Sequence, residues 1–201
     1  TTTFALMGYV AKSDGKVTID EIAMAERVMD QMRLNPQQRT VAINLFNEGK
    51  KQDFPVYEVL EQFKRECLRR SNLIQIFLEI IVATAFADGR LDAREKTVIE
   101  EISRNLGYSQ AEFDALISRL SGQAHFNDSA SSIEKIKASY ELLGVTAKCS
   151  DIELKKAYRR QMNQHHPDKL VAKGLPEEMI DIATEKTQAI KAAYDLIKEQ
   201  R

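Results

Sequence analysis

The sequence predicts an all-α protein with two helical domains. Only 8 glycines and 4 prolines occur in 201 residues, and apolar residues recur with helical spacing through long segments. The chain is 43% hydrophobic and 29% charged, as in ordinary globular proteins, and it is long enough for two small cores. We therefore predict a helical domain over residues 1–121, a linker over 122–132 and a second helical domain over 133–201.

The first domain contains an internal repeat with a period of 74 residues. Asp14-Gly15-Lys16-Val17, followed by Glu21, matches Asp88-Gly89-Arg90-Leu91, followed by Glu95. Each copy predicts an apolar helix, a tight Asp-Gly turn and an amphipathic helix. The spacing of Thr18 and Glu21 is that of a capping box, and the second copy has a weaker version of it. The repeat predicts two helical hairpins packed with pseudo-symmetry.

The Asp-Gly turns also match the second half of an EF-hand loop, in which a glutamate six residues after the glycine binds calcium with both oxygens. The first half does not match. Val10 and Lys12 in one copy, and Thr84 and Phe86 in the other, stand where oxygen ligands are needed. We therefore expect structural turns with helix caps, and no metal site.

Typical start signals mark the other helices of the first domain. Asn35-Pro36 and Pro55 each favour a helix start, and Ser109 with Glu112 favours another. Gly49 is predicted to end the helix that begins at Pro36. Seven helices result, and outside the repeat the residues expected to face inward are Val41, Leu45, Phe46, Val56, Val59, Leu60, Phe63, Phe113, Leu116, Ile117 and Leu120.

Residues 122–132 are small and polar and lack helical periodicity, which predicts the linker. After it, one helix should end at Gly144, a second begin at Ser150-Asp151 and a third begin at Pro176. The second and third are predicted to pack as an antiparallel hairpin. The residues expected to face inward are Ile133, Ile136, Tyr140, Leu143, Leu154, Ala157, Tyr158, Met162, Met179, Ile182, Ala183, Ile190, Ala193, Tyr194 and Ile197.

The stretch His165-His166-Pro167-Asp168 is the strongest candidate for a functional site. Proline displaces the preceding residue from the α region, so the helix should end near His165 and leave His166 and Asp168 on an exposed turn. Four cations lie on the preceding helix opposite its apolar stripe, namely Lys155, Lys156, Arg159 and Arg160. Cations beside an exposed carboxylate suit docking on an acidic partner, and Asp168 could pair with an arginine of that partner.

Three stretches together resemble the J-domain of DnaJ-type co-chaperones: residues 139–145 (Ser-Tyr-Glu-Leu-Leu-Gly-Val), 154–160, and His166-Pro167-Asp168. Residues 165–176 are similar to the same region of membrane-anchored bacterial DnaJ-like co-chaperones, and the repeated Asp-Gly pattern resembles the TerB-like (tellurite-resistance) domain. The resemblance implies a DnaK-type chaperone ATPase as partner. It also implies that His166, Pro167 and Asp168 promote ATP hydrolysis by that partner, with no cofactor in this chain.

The resemblance has departures and further implications. Gln161 stands where a leucine is usual, His165 where an aromatic residue is usual, and Gln164 where a lysine is usual. The first domain is expected to serve regulation, homodimerisation or client choice. The resemblance also implies that the full-length protein lies at the cytoplasmic face of the inner membrane through a segment outside this sequence. We expect this fragment to be soluble, because its most apolar run, residues 73–87, is too short for a membrane span.

Two other function classes are less well supported. A hydrolase could use His165 or His166 with Asp168, but proline separates the groups and no nucleophile or metal cluster accompanies them. A nucleic-acid protein could use the basic helix, but the net charge is −1 and no stacking aromatic residue lies on the basic face. Cys67 and Cys149 lack metal-ligand spacing, which favours a reducing compartment.

Overall fold

The computed structural model describes residues 2–13, 15–67, 71–87, 91–128 and 131–201. The regular structure in these ranges is helical, which confirms the predicted fold class. The chain divides into two compact units, Thr1–Phe113 and Asp114–Arg201. The helices are α1 (Thr2–Ala11), α2 (Ile19–Gln31), α3 (Pro36–Gly49), α4 (Val56–Glu66), α5 (Ser71–Ala85), α6 (Ala93–Asn105), α7 (Gln110–Asp128), α8 (Ser132–Leu143), α9 (Asp151–His165), α10 (Pro167–Val171) and α11 (Ile180–Glu199).

The internal repeat is present in the structure. Both bounds of α6 lie 74 residues after those of α2, and the last residue of α5 lies 74 residues after that of α1. Thr18 and Asp92 cap the equivalent helices α2 and α6, each with a complete capping box to Glu21 or Glu95. Both glutamates are buried. Two equivalent hydrophobic pairs, Ala11 with Ala85 and Val28 with Ile102, are buried as well, so the repeat extends to the core.

Helix α1 lies at the centre of the first unit, where most of its residues are buried. It packs unusually close to α3. A Cβ on Gly8 would lie 2.0 Å from the carbonyl oxygen of Phe46, and a Cβ on Gly49 would lie 1.8 Å from that of Ala5. Gly49 is the last residue of α3, as predicted, but its smallness also permits this helix contact.

The predicted helix starts of the first unit are confirmed. Asn35 caps α3 with Pro36 in the first turn, and Ser109 exchanges hydrogen bonds with Glu112 at the start of α7. One inward assignment is wrong: Val41 is 52% exposed, and the buried residues of α3 are Ala42, Phe46 and Gly49. The true buried stripe lies one residue along, because Gly49 and Phe46 determine which face meets α1.

Part of the predicted Asp-Gly repeat lies outside the described residues. This applies to Asp14 in the first copy and to Asp88, Gly89 and Arg90 in the second. Gly15, which is described, has a positive φ of 96°, in agreement with a tight turn. In the described part of the chain, no group of three histidine, cysteine, aspartate or glutamate side chains is placed to hold a metal ion.

The second unit is a hairpin of α9 and α11 with α8 packed against it. Gly144 ends α8 in the left-handed conformation with φ 69°, as predicted, and Ser150 caps α9. Tyr158 of α9 stacks on Tyr194 of α11 with ring centroids 4.3 Å apart. The buried cluster of this unit consists of Phe126, Ala138, Leu142, Leu143, Leu154, Ile190, Ala193 and Ile197.

Two predictions for this unit need correction. Ile133, assigned to the core, is 83% exposed because it lies in the first turn of α8, beyond the buried cluster. The helix expected to begin directly at Pro176 instead begins with a short 3₁₀ turn over Glu177–Met179, and α11 follows it.

The predicted linker is largely helical. Helix α7 continues through residues 122–128, where composition had indicated an irregular segment, and Gly122 and Phe126 are buried. Small polar residues are typical of loops, but small residues also suit close helix packing. Ser129 and Ala130, in the same predicted linker, lie outside the described residues. The domain limits at 121 and 133 therefore stay a prediction.

Candidate functional site

Helix α9 presents the candidate site, and its capping box sets where the helix begins. The Ser150 hydroxyl accepts from the Glu153 amide at 3.3 Å, and the Glu153 carboxylate accepts from the Ser150 amide and hydroxyl at 2.8 Å each. These hydrogen bonds hold the pKa of Glu153 below its ordinary value. Leu154 and Ala157 then face the core, which turns the opposite face of α9 outward.

The four predicted cations lie on this outward face. Lys155, Lys156, Arg159 and Arg160 are all exposed. Within the described residues, none of these four side chains forms an ion pair with a carboxylate. Their charge is therefore available to an acidic surface on another molecule.

The His-Pro-Asp stretch lies where α9 meets α10. Helix α9 ends at His165, as predicted, and His166 is extended with φ −60° and ψ 125°. Pro167 is the first residue of α10, so the predicted turn is also a helix start. Leu170, 1% exposed, anchors α10 in the core.

His166 caps α10 with its own side chain. Its Nδ1 accepts a hydrogen bond from the Asp168 amide at 3.3 Å and lies 3.9 Å from the nearer carboxylate oxygen of Asp168. The Asp168 side chain is 90% exposed. The stretch thus holds one carboxylate outward at a defined place beside the cationic face.

The two unusual residues of α9 are both in the interior. Gln161 and His165 are each 2% exposed, and His165 Nδ1 lies 2.9 Å from the Gln161 carbonyl oxygen. That oxygen can only accept, so Nδ1–H donates. His165 is therefore a core residue, and of the two adjacent histidines only His166 faces Asp168. Gln164, the third departure, is half-buried.

Sequence reasoning missed Arg201, which joins the ends of three helices. Its guanidinium donates to Asp151 Oδ1 at 2.6 Å and to the Cys149 carbonyl at 2.8 Å, and its Nε lies 3.3 Å from the Tyr140 hydroxyl. The hydrogen bond with Tyr140, followed by that with Asp151, raises the pKa of Arg201. Because the end of α11 meets the start of α9 here, the hairpin is antiparallel, as predicted. No local pattern marks an arginine as a partner of residues 50 or more positions away.

Two family models match the chain. Residues 1–118 match the family of tellurite resistance protein TerB, and residues 138–201 match the DnaJ domain. The two predicted resemblances are therefore confirmed, and residues 119–137 lie between the two matches.

The chain is 46% identical to the co-chaperone protein DjlA of Shewanella oneidensis, over 100% of this chain and 77% of that protein. The chain belongs to the DjlA family of co-chaperones. DjlA of Photorhabdus laumondii is 42% identical over 99% of this chain and 78% of its own length. DjlA of Photobacterium profundum is 41% identical over 98% and 76%, respectively. This chain is thus a J-domain co-chaperone.

No solved structure matches the chain. Among the helices of the described residues, none has the length and apolar character that crossing a membrane requires.

Proposed function

We propose that this chain docks on a DnaK-type chaperone ATPase through α9 and the start of α10, and that docking stimulates ATP hydrolysis by the chaperone. The observation that carries the proposal is that one outward carboxylate, Asp168, lies beside a helix with four exposed cations. A protein surface of opposite charge would be attracted by the cations and aligned by the carboxylate.

Each part of the surface has a separate task in this proposal. The cations Lys155, Lys156, Arg159 and Arg160 raise the rate of encounter with an acidic face of the chaperone. Asp168 then forms a charge-assisted hydrogen bond with a basic group of the chaperone, which fixes the orientation of the complex. Pro167 and the His166 cap hold the Asp168 backbone, so little ordering is required on binding.

The chain acts in this proposal as an activator of its partner's reaction and not as an enzyme. The hydrolase alternative has no support in the geometry, because His165 is in the core and the imidazole of His166 accepts from a backbone amide. The nucleic-acid alternative rests on the exposed cations of α9 alone. The only stacked aromatic pair found in the second unit, Tyr158 with Tyr194, joins two helices within the described residues.

The first unit has a supporting role in the proposal. It regulates the J-domain, dimerises or selects clients. The full-length protein acts at the cytoplasmic face of the inner membrane, through a segment outside this sequence. These roles are inferred from the resemblance to membrane-anchored DnaJ-like co-chaperones.

The test is steady-state ATP hydrolysis by a DnaK-type chaperone with this chain added. Asp168→Asn should abolish stimulation while far-ultraviolet circular dichroism stays unchanged, because the side chain is exposed. Asp195→Asn, an exposed carboxylate of α11, is the matched control and should stimulate as the wild type does. Equal stimulation by both variants would exclude Asp168 from the docking contact. A loss of helical signal in Asp168→Asn would instead show that Asp168 is needed for folding.

A further inference from the structure

The last turns of α7 contribute to the core of the second unit. Phe126 is 8% exposed and belongs to the buried cluster that includes Leu142, Leu154 and Ile190. The ammonium group of Lys135, on α8, lies 5.1 Å from the centre of the Phe126 ring. An aromatic side chain in such a place buries more apolar surface than any other residue of the predicted linker could.

Gly122 brings the backbone of α7 against α8. A Cβ at this position would lie 2.6 Å from Glu141 Cβ, 2.7 Å from the Leu142 amide nitrogen and 3.0 Å from the Ala138 carbonyl oxygen. No other residue type fits without separation of the two helices, since two of these atoms belong to the backbone. One residue along, Gln123 accepts a hydrogen bond from Lys186 of α11. Helix α7 therefore contacts both α8 and α11.

We propose that the docking of residues 114–128 of α7 on α8 sets the stability of the second unit, so that this unit depends on a helix outside its matched DnaJ domain. The apolar face of α8 is covered by these residues of the same chain. The four cations of α9 are exposed while α7 is docked, so the docked helix and the chaperone do not compete for one face. Release of α7 would uncover Leu142, whose cluster includes Leu154 of α9, and loosen the support of the cationic helix.

The substitution Gly122→Ala tests this proposal by whether it destabilises or stabilises the second unit. In a helix exposed to water, alanine is favoured over glycine by about fivefold. In a helix packed against α8, the added methyl group overpacks the contact. We expect the slowest amides of α8 and α11 to exchange with deuterium about tenfold faster than in the wild type, measured on the whole chain. Ser118→Ala, an exposed position of α7, is the matched control and should leave exchange equal or slower.

Unchanged or slower exchange in Gly122→Ala would overturn the proposal. If that variant loses its helical circular dichroism, Phe126→Leu is the milder perturbation, with an expected increase of about fivefold and the same overturning result. Both readouts are independent of the chaperone. ATPase stimulation should also weaken at temperatures near the unfolding midpoint, and this arm alone rests on the proposed function. Faster exchange without any wild-type stimulation would refute the proposed function and leave the stabilising role of residues 114–128 established.

Discussion

Reversal of one charge on α9 gives a quantitative test of the docking surface. Arg159→Glu replaces an exposed cation that has no ion-pair partner within the described residues. A cation about 4 Å from an acidic group gains about 1 kcal/mol in water, and reversal turns this attraction into a repulsion of similar size. The total change of about 2 kcal/mol corresponds to an approximately 30-fold higher Kd for the chaperone.

The assay is surface plasmon resonance with an ATP-loaded DnaK-type chaperone, across a series of salt concentrations. The effect should be largest at low salt and become small near 1 M, where the Debye length falls to about 3 Å. Lys191→Glu, an exposed cation of α11, is the control and should change Kd little at any salt concentration. The reasoning is refuted if Arg159→Glu leaves Kd unchanged at low salt, or if Lys191→Glu weakens binding equally.

Two further predictions concern stability. Gly49→Ala should lower the free energy of unfolding of the first unit by about 2 kcal/mol in urea denaturation, because the added methyl group would meet the Ala5 carbonyl. The control Asn47→Ala, at an exposed position of the same helix, should be neutral or stabilising. Equal stability of the two variants would contradict the close contact between α1 and α3. Ser150→Ala should lower the melting temperature at neutral pH. The pKa of Glu153 is lower in the folded state, so its stabilisation is present at neutral pH and is lost as pH falls below the ordinary value of 4.5. The difference in melting temperature between Ser150→Ala and the wild type should therefore become smaller in acid. A difference that does not change with pH would contradict this account.

Most of the secondary structure could be predicted from local signals. Capping boxes and proline at the first helical position depend on residues within one turn, so Thr18, Asn35 and Ser150 mark helix starts without tertiary information. The 74-residue repeat can be recognised from the sequence for the same reason, since similar local patterns recur at one offset. The end of α9 near His165 could be predicted because Pro167 restricts the backbone conformation of the residue before it.

The remaining features depend on contacts between distant segments. Val41 and Ile133 have apolar side chains at plausible helical positions, but the neighbouring helices decide which residues are covered. The sequence predicts a loop at Gly122, although the lack of a side chain there permits close contact with α8. One sequence feature does favour a continuous helix here, because no proline interrupts the chain from Leu120 to Phe126. The contacts of Arg201 join segments 50 or more residues apart, a separation that local patterns do not reach.

The claim that α9 and the start of α10 form the docking surface is tested most directly by a footprint of the chaperone on this chain. Amide deuterium exchange would be compared with and without an ATP-bound DnaK-type chaperone. The account predicts slower exchange in peptides from α9 and α10 and unchanged exchange in those from α2 and α3. Protection confined to the first unit would contradict it, as would stimulated ATP hydrolysis with no protection of α9 and α10.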